Sequence, residues 1–203
     1  DIYVGGDFTL AIGQCPANRI ARWDGNSWFS LGSGVNNTVN AIAVSEPYVY
    51  VGGSFSGSGS NSYLLRWNIN TSTWSALGTG VNGEVKAIIA SGSDIYVGGA
   101  FTTAGGISAN HIARWDENTN TWTALGDGIS NVVYALASNG TYIYASDGYI
   151  SKWDGSTWSS LGSGATGVYT IGTSESKIFI GGYFVEAGGK PSYNIGCWNE
   201  PEV

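Results

Sequence analysis

The sequence predicts an all-β fold, built from short antiparallel strands that recur about every 46 residues. Four short motifs return several times along the chain, and each is rich in Val, Ile, Tyr and Trp. Gly, Asn, Asp and Ser bound these motifs, as is typical of strands separated by turns. Helix formers are scarce, since the chain has no Met and eight Lys and Arg together, so long helices are not expected.

The first motif, Val-x-Ala-Ile/Leu-Ala, predicts the innermost strand of each unit. It begins at Val39, Val85 and Val133, and a weaker version begins at Val168. Small or apolar residues occupy both faces of this motif. Such a pattern fits a strand that is packed on both sides, near a crowded axis.

The second motif is a strand that ends in a glycine pair. Ile-Tyr-Val-Gly-Gly or a close variant begins at Ile2, Val49, Ile95 and Ile178, and a degraded copy begins at Ile143. Glycine pairs are expected where the backbone turns sharply or passes close to a neighbour. A phosphate-binding loop would need a following helix and lysine, which the sequence lacks, so no cofactor is predicted.

The third and fourth motifs each contain a tryptophan and are joined by a hairpin turn. The third motif begins at Ile20, Leu64, Ile112, Ile150 and Ile195. The fourth, Trp-x-x-Leu-Gly, begins at Trp28, Trp74, Trp122 and Trp158. Two of the connections contain Asp-Gly, which is a strong signal for a tight turn between paired strands.

Four strands in each unit predict a small twisted sheet, which needs neighbours on both faces. Radial repetition of four-stranded sheets about an axis makes a β-propeller, and a linear β-solenoid is the alternative. The fourth motif recurs after 46, 48 and 36 residues. The interval of 36 residues is short because residues 143–153 lack a loop that other units contain. Deletions of this kind concentrate in exposed connections.

The chain of 203 residues is predicted to form a single domain of five blades. The predicted blades span residues 1–34, 35–80, 81–128, 129–164 and 165–203. The first lacks its innermost strand and the last its outermost, which leaves unpaired sheet edges. We therefore expect either a longer chain or a neighbouring molecule that supplies strands. The absence of a signal peptide also indicates a processed or partial chain.

These motifs resemble the kelch and galactose-oxidase-like propeller repeat. The stretch YVGGAFTTAGGISANHIARWD, followed by TWTALGDG, is similar to repeats of bacterial secreted or surface proteins. It is also similar to the propeller of fungal cortical-marker proteins used in bud-site selection. The resemblance covers essentially the whole chain and is weakest from Tyr142 to Tyr149. It implies a propeller that serves mostly as a non-catalytic surface module.

Charge and composition exclude two classes of partner. The net charge is −7, and the eight basic residues are scattered, so the clustered Lys and Arg that nucleic acid binding needs are missing. No run of 18 apolar residues exists, so no membrane insertion is expected.

Few residues suggest catalysis or metal binding. His111 is the only histidine, so neither a copper or zinc site nor a Ser-His-Asp triad is predicted. Asp24, Asp116 and Asp154 follow the tryptophan of the third motif, where a turn-forming role is expected. Calcium or ligand contact and glycoside chemistry are the alternatives for these carboxylates. The chain is predicted not to be an enzyme.

The tryptophans of the fourth motif have two interpretations. Trp28, Trp74, Trp122 and Trp158 either pack between blades or stack on sugar rings as ligand contacts. Their regular recurrence favours packing. Equivalent exposed aromatics would instead support a carbohydrate-binding propeller.

Two further residue types are candidates for covalent modification. Cys15 and Cys197 lie in the first and last units, which a closed ring makes neighbours, so a disulfide between them is predicted. Free thiols or a bond to a missing segment are the alternatives. Asn36, Asn70 and Asn139 open glycosylation triplets, which apply only if a eukaryote secretes the protein.

The resemblance implies a non-catalytic extracellular or cell-surface module of a structural, fibre or adhesive protein. Its expected partners are other proteins or other copies of itself. A lectin-like propeller that binds glycans is the alternative function.

Overall fold

The computed structural model describes residues 1–11, 15–56, 63–161, 165–174 and 176–199. This part of the chain forms 24 β-strands and no helix, which confirms the all-β prediction. It accordingly contains no apolar helix of membrane-spanning length.

Three four-stranded antiparallel sheets form the middle of the molecule, each in the order of the four motifs. The second sheet contains β6 (Val39–Ser45), β7 (Tyr48–Gly53), β8 (Leu64–Asn68) and β9 (Thr73–Ala76). The third contains β10 (Val85–Ser91), β11 (Asp94–Gly99), β14 (Ile112–Asp116) and β15 (Thr121–Ala124). The fourth contains β16 (Ala135–Ser138), β17 (Ile143–Ser146), β18 (Ile150–Trp153) and β19 (Trp158–Ser160).

The two end sheets have three strands each in the described part of the chain. The first contains β1 (Ile2–Gly5), β4 (Ile20–Trp23) and β5 (Trp28–Ser30). The fifth contains β20 (Val168–Ser174), β21 (Lys177–Gly182) and β24 (Ile195–Asn199). The missing strands are the innermost of the first sheet and the outermost of the fifth, as the motifs predict.

Short two-stranded hairpins connect the second and third motifs of the first, third and fifth sheets. They are β2 (Leu10–Ala11) with β3 (Cys15–Pro16), β12 (Thr103–Ala104) with β13 (Ile107–Ser108), and β22 (Glu186–Ala187) with β23 (Lys190–Pro191). In the fourth sheet, the connection from Ser146 to Ile150 is too short for such a hairpin. The absence of this hairpin accounts for the shorter repeat interval.

Neighbouring sheets pack face to face through a glycine of one sheet and a valine of the next. A Cβ atom added at Gly52 would lie 2.3 Å from Val85 Cγ1, and one at Gly98 would lie 2.5 Å from Val133 Cγ1. No side chain fits in these gaps. The close approach of the sheets therefore explains why the second motif ends in glycine.

The hydrophobic core lies between the sheets. One cluster joins Tyr50 and Leu64 of the second sheet to Val85, Val97 and Trp115 of the third. The other clusters likewise draw on adjacent sheets. Each sheet therefore depends on its neighbours for burial of its apolar faces, as in other repeat architectures.

The outer faces of the first and fifth sheets are open. Ile2 is 60% exposed, whereas its third-sheet equivalent Ile95 is 0% exposed. Ile195 of the fifth sheet is 68% exposed, whereas Ile112 is 0% exposed. The described sheets thus form an arc with two apolar ends. The β-propeller fold is confirmed, while the five-blade count and the blade boundaries stay predictions.

Candidate functional site

The outermost strands attach to the preceding sheet through their tryptophans. The indole Nε1 atoms of Trp74, Trp122 and Trp158 donate to the backbone oxygens of Leu31, Leu77 and Leu125, over 2.9, 2.9 and 2.8 Å. All three rings are half-buried. For these positions, the hydrogen bonds support packing between sheets over sugar stacking.

Trp28 differs from the other three because no preceding sheet packs against it in the described part of the chain. Its indole N–H donates to no acceptor within the residues that the structure describes. Its ring packs against Trp23, with the ring centroids 5.3 Å apart. With Val4, Phe8 and Leu10 it lines an open apolar groove of about 270 Å³. A ligand-contact role for Trp28 stays a prediction.

The three aspartates after the third-motif tryptophan form turns. Asp24 Oδ1 accepts the backbone N–H groups of Asn26 and Ser27, both at 2.8 Å. Asp116 and Asp154 accept the equivalent bonds. These backbone donors hold the pKa of all three carboxyls below the ordinary value. The turn-forming interpretation is confirmed for each of them.

His111 lies on a tight loop with a positive φ of 63°. Its Nδ1 atom is 2.8 Å from the backbone oxygen of Ile129, which ties the loop to the following unit. Within the described ranges, no three His, Cys, Asp or Glu side chains are placed to hold a metal ion.

Cys15 and Cys197 are free thiols, so the structure contains that alternative and not the predicted disulfide. Cys15 is half-buried in the hairpin of the first sheet, and Cys197 is exposed on β24 of the fifth. The prediction required the first and last units to be neighbours. In the structure these units stand at opposite ends of the arc, and each presents an open face.

The three glycosylation triplets differ in accessibility. Asn36 is exposed, but its side-chain amide donates to Ser56 Oγ over 3.0 Å. Asn139 is half-buried, and its amide donates to the Tyr144 hydroxyl over 3.1 Å. Asn70 is exposed in the turn between β8 and β9. Asn70 is therefore the best placed acceptor, and modification at all three sites stays a prediction.

Between the second and third sheets, two donors hold a glutamate side chain. Glu117 Oε2 accepts from Arg66 Nη1 over 2.5 Å, and Oε1 accepts from Trp115 Nε1 over 2.6 Å. The guanidinium also stacks on Tyr48, 4.4 Å from the ring centroid. Burial, together with the nearby Glu117 carboxylate, raises the pKa of Tyr50. The cluster is a partly buried ion pair across the sheet interface.

The next interface has the same donors without the glutamate. Gly155 occupies the position of Glu117, and a cavity of about 240 Å³ lies beside it. Arg114, Tyr96 and Trp153 line this cavity, and they correspond to the arginine, buried tyrosine and tryptophan of the preceding interface. Burial raises the pKa of Tyr96.

Sequence reasoning missed both the ion pair and the cavity. A signal was present, because arginine recurs before the third-motif tryptophan at Arg22, Arg66 and Arg114. The residue after the turn aspartate also changes from Glu117 to Gly155. Only the packing of neighbouring sheets shows that the arginine of one sheet faces the residue after the turn aspartate of the next.

Comparison with known proteins connects this geometry to a family. The model described as Rax2 C-terminal beta propeller domain matches residues 26–173. The match confirms the predicted resemblance to cortical-marker propellers. The chain matches no curated protein.

Solved structures of two computationally designed proteins are similar in fold. Ika4 is 19% identical with a TM-score of 0.61, and the match covers 82% of this chain and 94% of that chain. Ika8 is 19% identical with a TM-score of 0.59, and the match covers 82% of this chain and 47% of that chain. At this level of identity, the likeness shows the fold alone.

Proposed function

The chain belongs to the family of Rax2 C-terminal beta propeller domains, and from this we propose that it is a non-catalytic protein-interaction module. Its binding surfaces are the open outer faces of the first and fifth sheets. Its partner is a β-sheet of the same repeat pattern, supplied by another copy of the chain. The role is structural, as part of a surface, fibre or adhesive assembly.

Apolar exposure at the two ends of the arc carries this proposal. Ile2, Val4 and Leu10 are exposed at the first sheet, and Phe179 and Ile195 at the fifth. The middle sheets bury the equivalents of Ile2, Val4 and Ile195, which are at most 5% exposed. Contiguous exposed apolar area of this kind marks interaction surfaces.

The two end faces are the two halves of one repeated interface. Inside the arc, the glycine face of each sheet packs on the Ile–Val face of the next. The fifth sheet presents a glycine face, on which a Cβ built at Gly181 would meet Thr170 and the backbone oxygen of Asn194, both within the fifth unit. The first sheet presents the face of Ile2 and Val4. A head-to-tail contact between copies therefore repeats the internal packing, and such contacts generate rings or open filaments.

An extracellular or cell-surface location is part of the same proposal. An exposed glycosylation acceptor at Asn70 is compatible with secretion. The low charged fraction of 11% and the polar Ser-, Thr- and Asn-rich loops are also compatible with a surface module.

Sedimentation velocity over a concentration series tests the self-association. We expect the apparent molecular mass to rise with protein concentration. Ile195→Asp should weaken association by roughly tenfold or more, because the contact would then bury an unpaired charge. Ile107→Asp is the matched control, since Ile107 is an exposed isoleucine on β13, in the hairpin of the third sheet. A chain that stays monomeric at every concentration, or an equal effect of both variants, would contradict the proposal.

Carbohydrate binding is the second candidate, and Trp28 is the observation that favours it. Its indole faces an open groove and has no hydrogen bond in the described part of the chain, whereas the equivalent rings are engaged between sheets. An aromatic ring of this kind can stack on a sugar. A glycan array should show saturable binding that Trp28→Ala abolishes and that Phe29→Ala, at a neighbouring exposed ring, retains. Absence of binding to every glycan removes this candidate.

A further inference from the structure

The cavity between the third and fourth sheets is best understood from the interface that precedes it. There, the protein binds a carboxylate of its own, since Glu117 sits between the Arg66 guanidinium and the Trp115 indole. Hydrogen bonds from charged donors to carboxylates are the strong ones. The preceding interface therefore shows what this arrangement of donors holds.

The same donors recur one sheet later in the same orientation. Trp153 stands at the position of Trp115, and its Cζ3 atom lies 3.2 Å from a Cβ built on Gly126. The corresponding distance from Trp115 Cζ3 to Gly78 is 3.4 Å, so the two indoles share one placement. Within the described residues, Trp153 Nε1 has no acceptor.

The acceptor is missing because the turn is shorter. After Asp116 the chain continues Glu-Asn-Thr-Asn, whereas after Asp154 it continues Gly-Ser-Thr. Gly155 carries no side chain, and the volume of about 240 Å³ beside it is open to solvent on one side. The hydroxyl-bearing residues Ser91, Thr123 and Thr141 complete the wall.

We propose that this cavity is a binding site for a small hydroxylated organic carboxylate. Its carboxylate takes the place of the absent glutamate, between Arg114 and Trp153. Its hydroxyl groups meet the three hydroxyl-bearing residues of the wall. The volume is larger than a glutamate side chain needs, which leaves room for a ligand of hydroxy-acid or sugar-acid size.

Asp94 sets the strength of this site. Its Oδ2 atom lies 3.3 Å from Arg114 Nη1, so one carboxylate already faces the guanidinium. In the preceding interface the residue equivalent to Asp94 is Tyr48. Tyr48 stacks on the Arg66 guanidinium and carries no charge, so Glu117 is the carboxylate that pairs with Arg66. Arginine has five N–H donors, so Arg114 retains donors for a second acceptor. Competition by Asp94 predicts weak binding that Asp94→Asn strengthens.

The indole N–H resonance of Trp153 in an NMR titration tests the proposal, and Trp153→Phe assigns it. The probes are lactate and gluconate, with lactamide as the neutral counterpart. We expect saturable shifts with both acids and none with lactamide. Arg114→Gln should weaken gluconate binding roughly tenfold, the loss typical of one charge-assisted hydrogen bond. Arg22→Gln is the matched control, because Ile69 stands at the Glu117 position in that interface.

A turn replacement provides a second, independent test. Residues 154–157 are replaced by Asp-Glu-Asn-Thr-Asn-Thr, the sequence of residues 116–121. The new glutamate should fill the cavity and abolish binding, while the same turn with alanine in place of glutamate should retain it. The proposal is overturned if the acids leave the Trp153 resonance unmoved, if lactamide shifts it equally, or if the glutamate turn binds as well as the alanine turn.

Discussion

The indole nitrogen of Trp122 donates a hydrogen bond of 2.9 Å to the backbone oxygen of Leu77, 45 residues earlier and one sheet away. Trp74 and Trp158 make the same bond to their own preceding sheets. Because the bond crosses a sheet interface, the recurring tryptophan is a fixed attachment point between repeats. The bond explains why this tryptophan recurs in successive repeats, and the explanation does not require a ligand.

Trp122→Phe should therefore destabilise the fold. Phenylalanine keeps most of the ring and loses the donor, so we expect a loss of about 1 kcal/mol from the missing hydrogen bond. Trp28→Phe should leave stability nearly unchanged, because the Trp28 indole makes no inter-sheet hydrogen bond within the described residues. Urea unfolding of both variants measures the difference. Equal losses would show that the ring and not the inter-sheet bond determines the effect.

Gly98→Ala should separate two sheets that touch. The added methyl group would lie 2.5 Å from Val133 Cγ1, and overpacking of this kind costs about 1–3 kcal/mol. Gly172→Ala is the control, since a Cβ there meets no atom within 4 Å. Thermal unfolding compares the two. Val133→Ala should relieve part of the penalty in the double variant, and strict additivity of the two changes would argue against a direct clash.

In the fourth sheet, Ser146 stands at the position that Gly98 has in the third. The hydrogen bond of its hydroxyl compensates for the cost of packing the larger side chain. The side chain is completely buried, and Oγ donates to the backbone oxygen of Val168 over 2.6 Å. Ser146→Ala should cost about 1–2 kcal/mol, because the methyl group stays and the donor is lost. Ser146→Gly should be tolerated better, since it restores the residue of the other sheets. Denaturant midpoints decide the order, and a more stable alanine variant would refute this explanation.

The sequence allows the fold to be predicted because each strand is repeated. The glycine of the second motif is visible as Gly52 and Gly98, and the packing reason follows from the repetition alone. From a single copy of this motif, the role of its glycine would be ambiguous. Repetition also predicts the turn role of Asp24, since asparagine replaces aspartate at Asn68 without loss of the turn.

Contacts between sheets are harder to predict from the sequence. Arg66 and Glu117 are 51 residues apart, and their pairing depends on the register and distance of two separate sheets. The state of Cys15 and Cys197 depends on whether the ends of the arc meet, which no local pattern encodes. The candidate site was invisible for the same reason, because it results from a side chain that Gly155 lacks.

Acid should weaken the fold through the turn aspartates, and Asp154 gives the sharpest test. Its Oδ1 atom accepts the backbone N–H groups of Ser156 and Thr157 over 2.8 and 2.7 Å. These bonds favour the charged form, so the pKa of Asp154 is lowered in the folded state. A depressed pKa contributes stability that is present above the unfolded value of about 3.9 and is lost as the pH falls toward the folded value. We expect the unfolding free energy to be flat near neutral pH and to decline below about pH 4.

Asp154→Asn separates this effect from general acid unfolding. Asparagine keeps the turn acceptor, as Asn68 does, but does not titrate in this range. The variant should therefore lose less stability than the parent chain between about pH 4 and pH 2. Asp127→Asn is the control, because in the described ranges the Asp127 side chain accepts no hydrogen bond. Urea titrations at several pH values give the slopes, and identical slopes for Asp154→Asn and the parent chain would show that the turn carboxylate does not couple folding to protons.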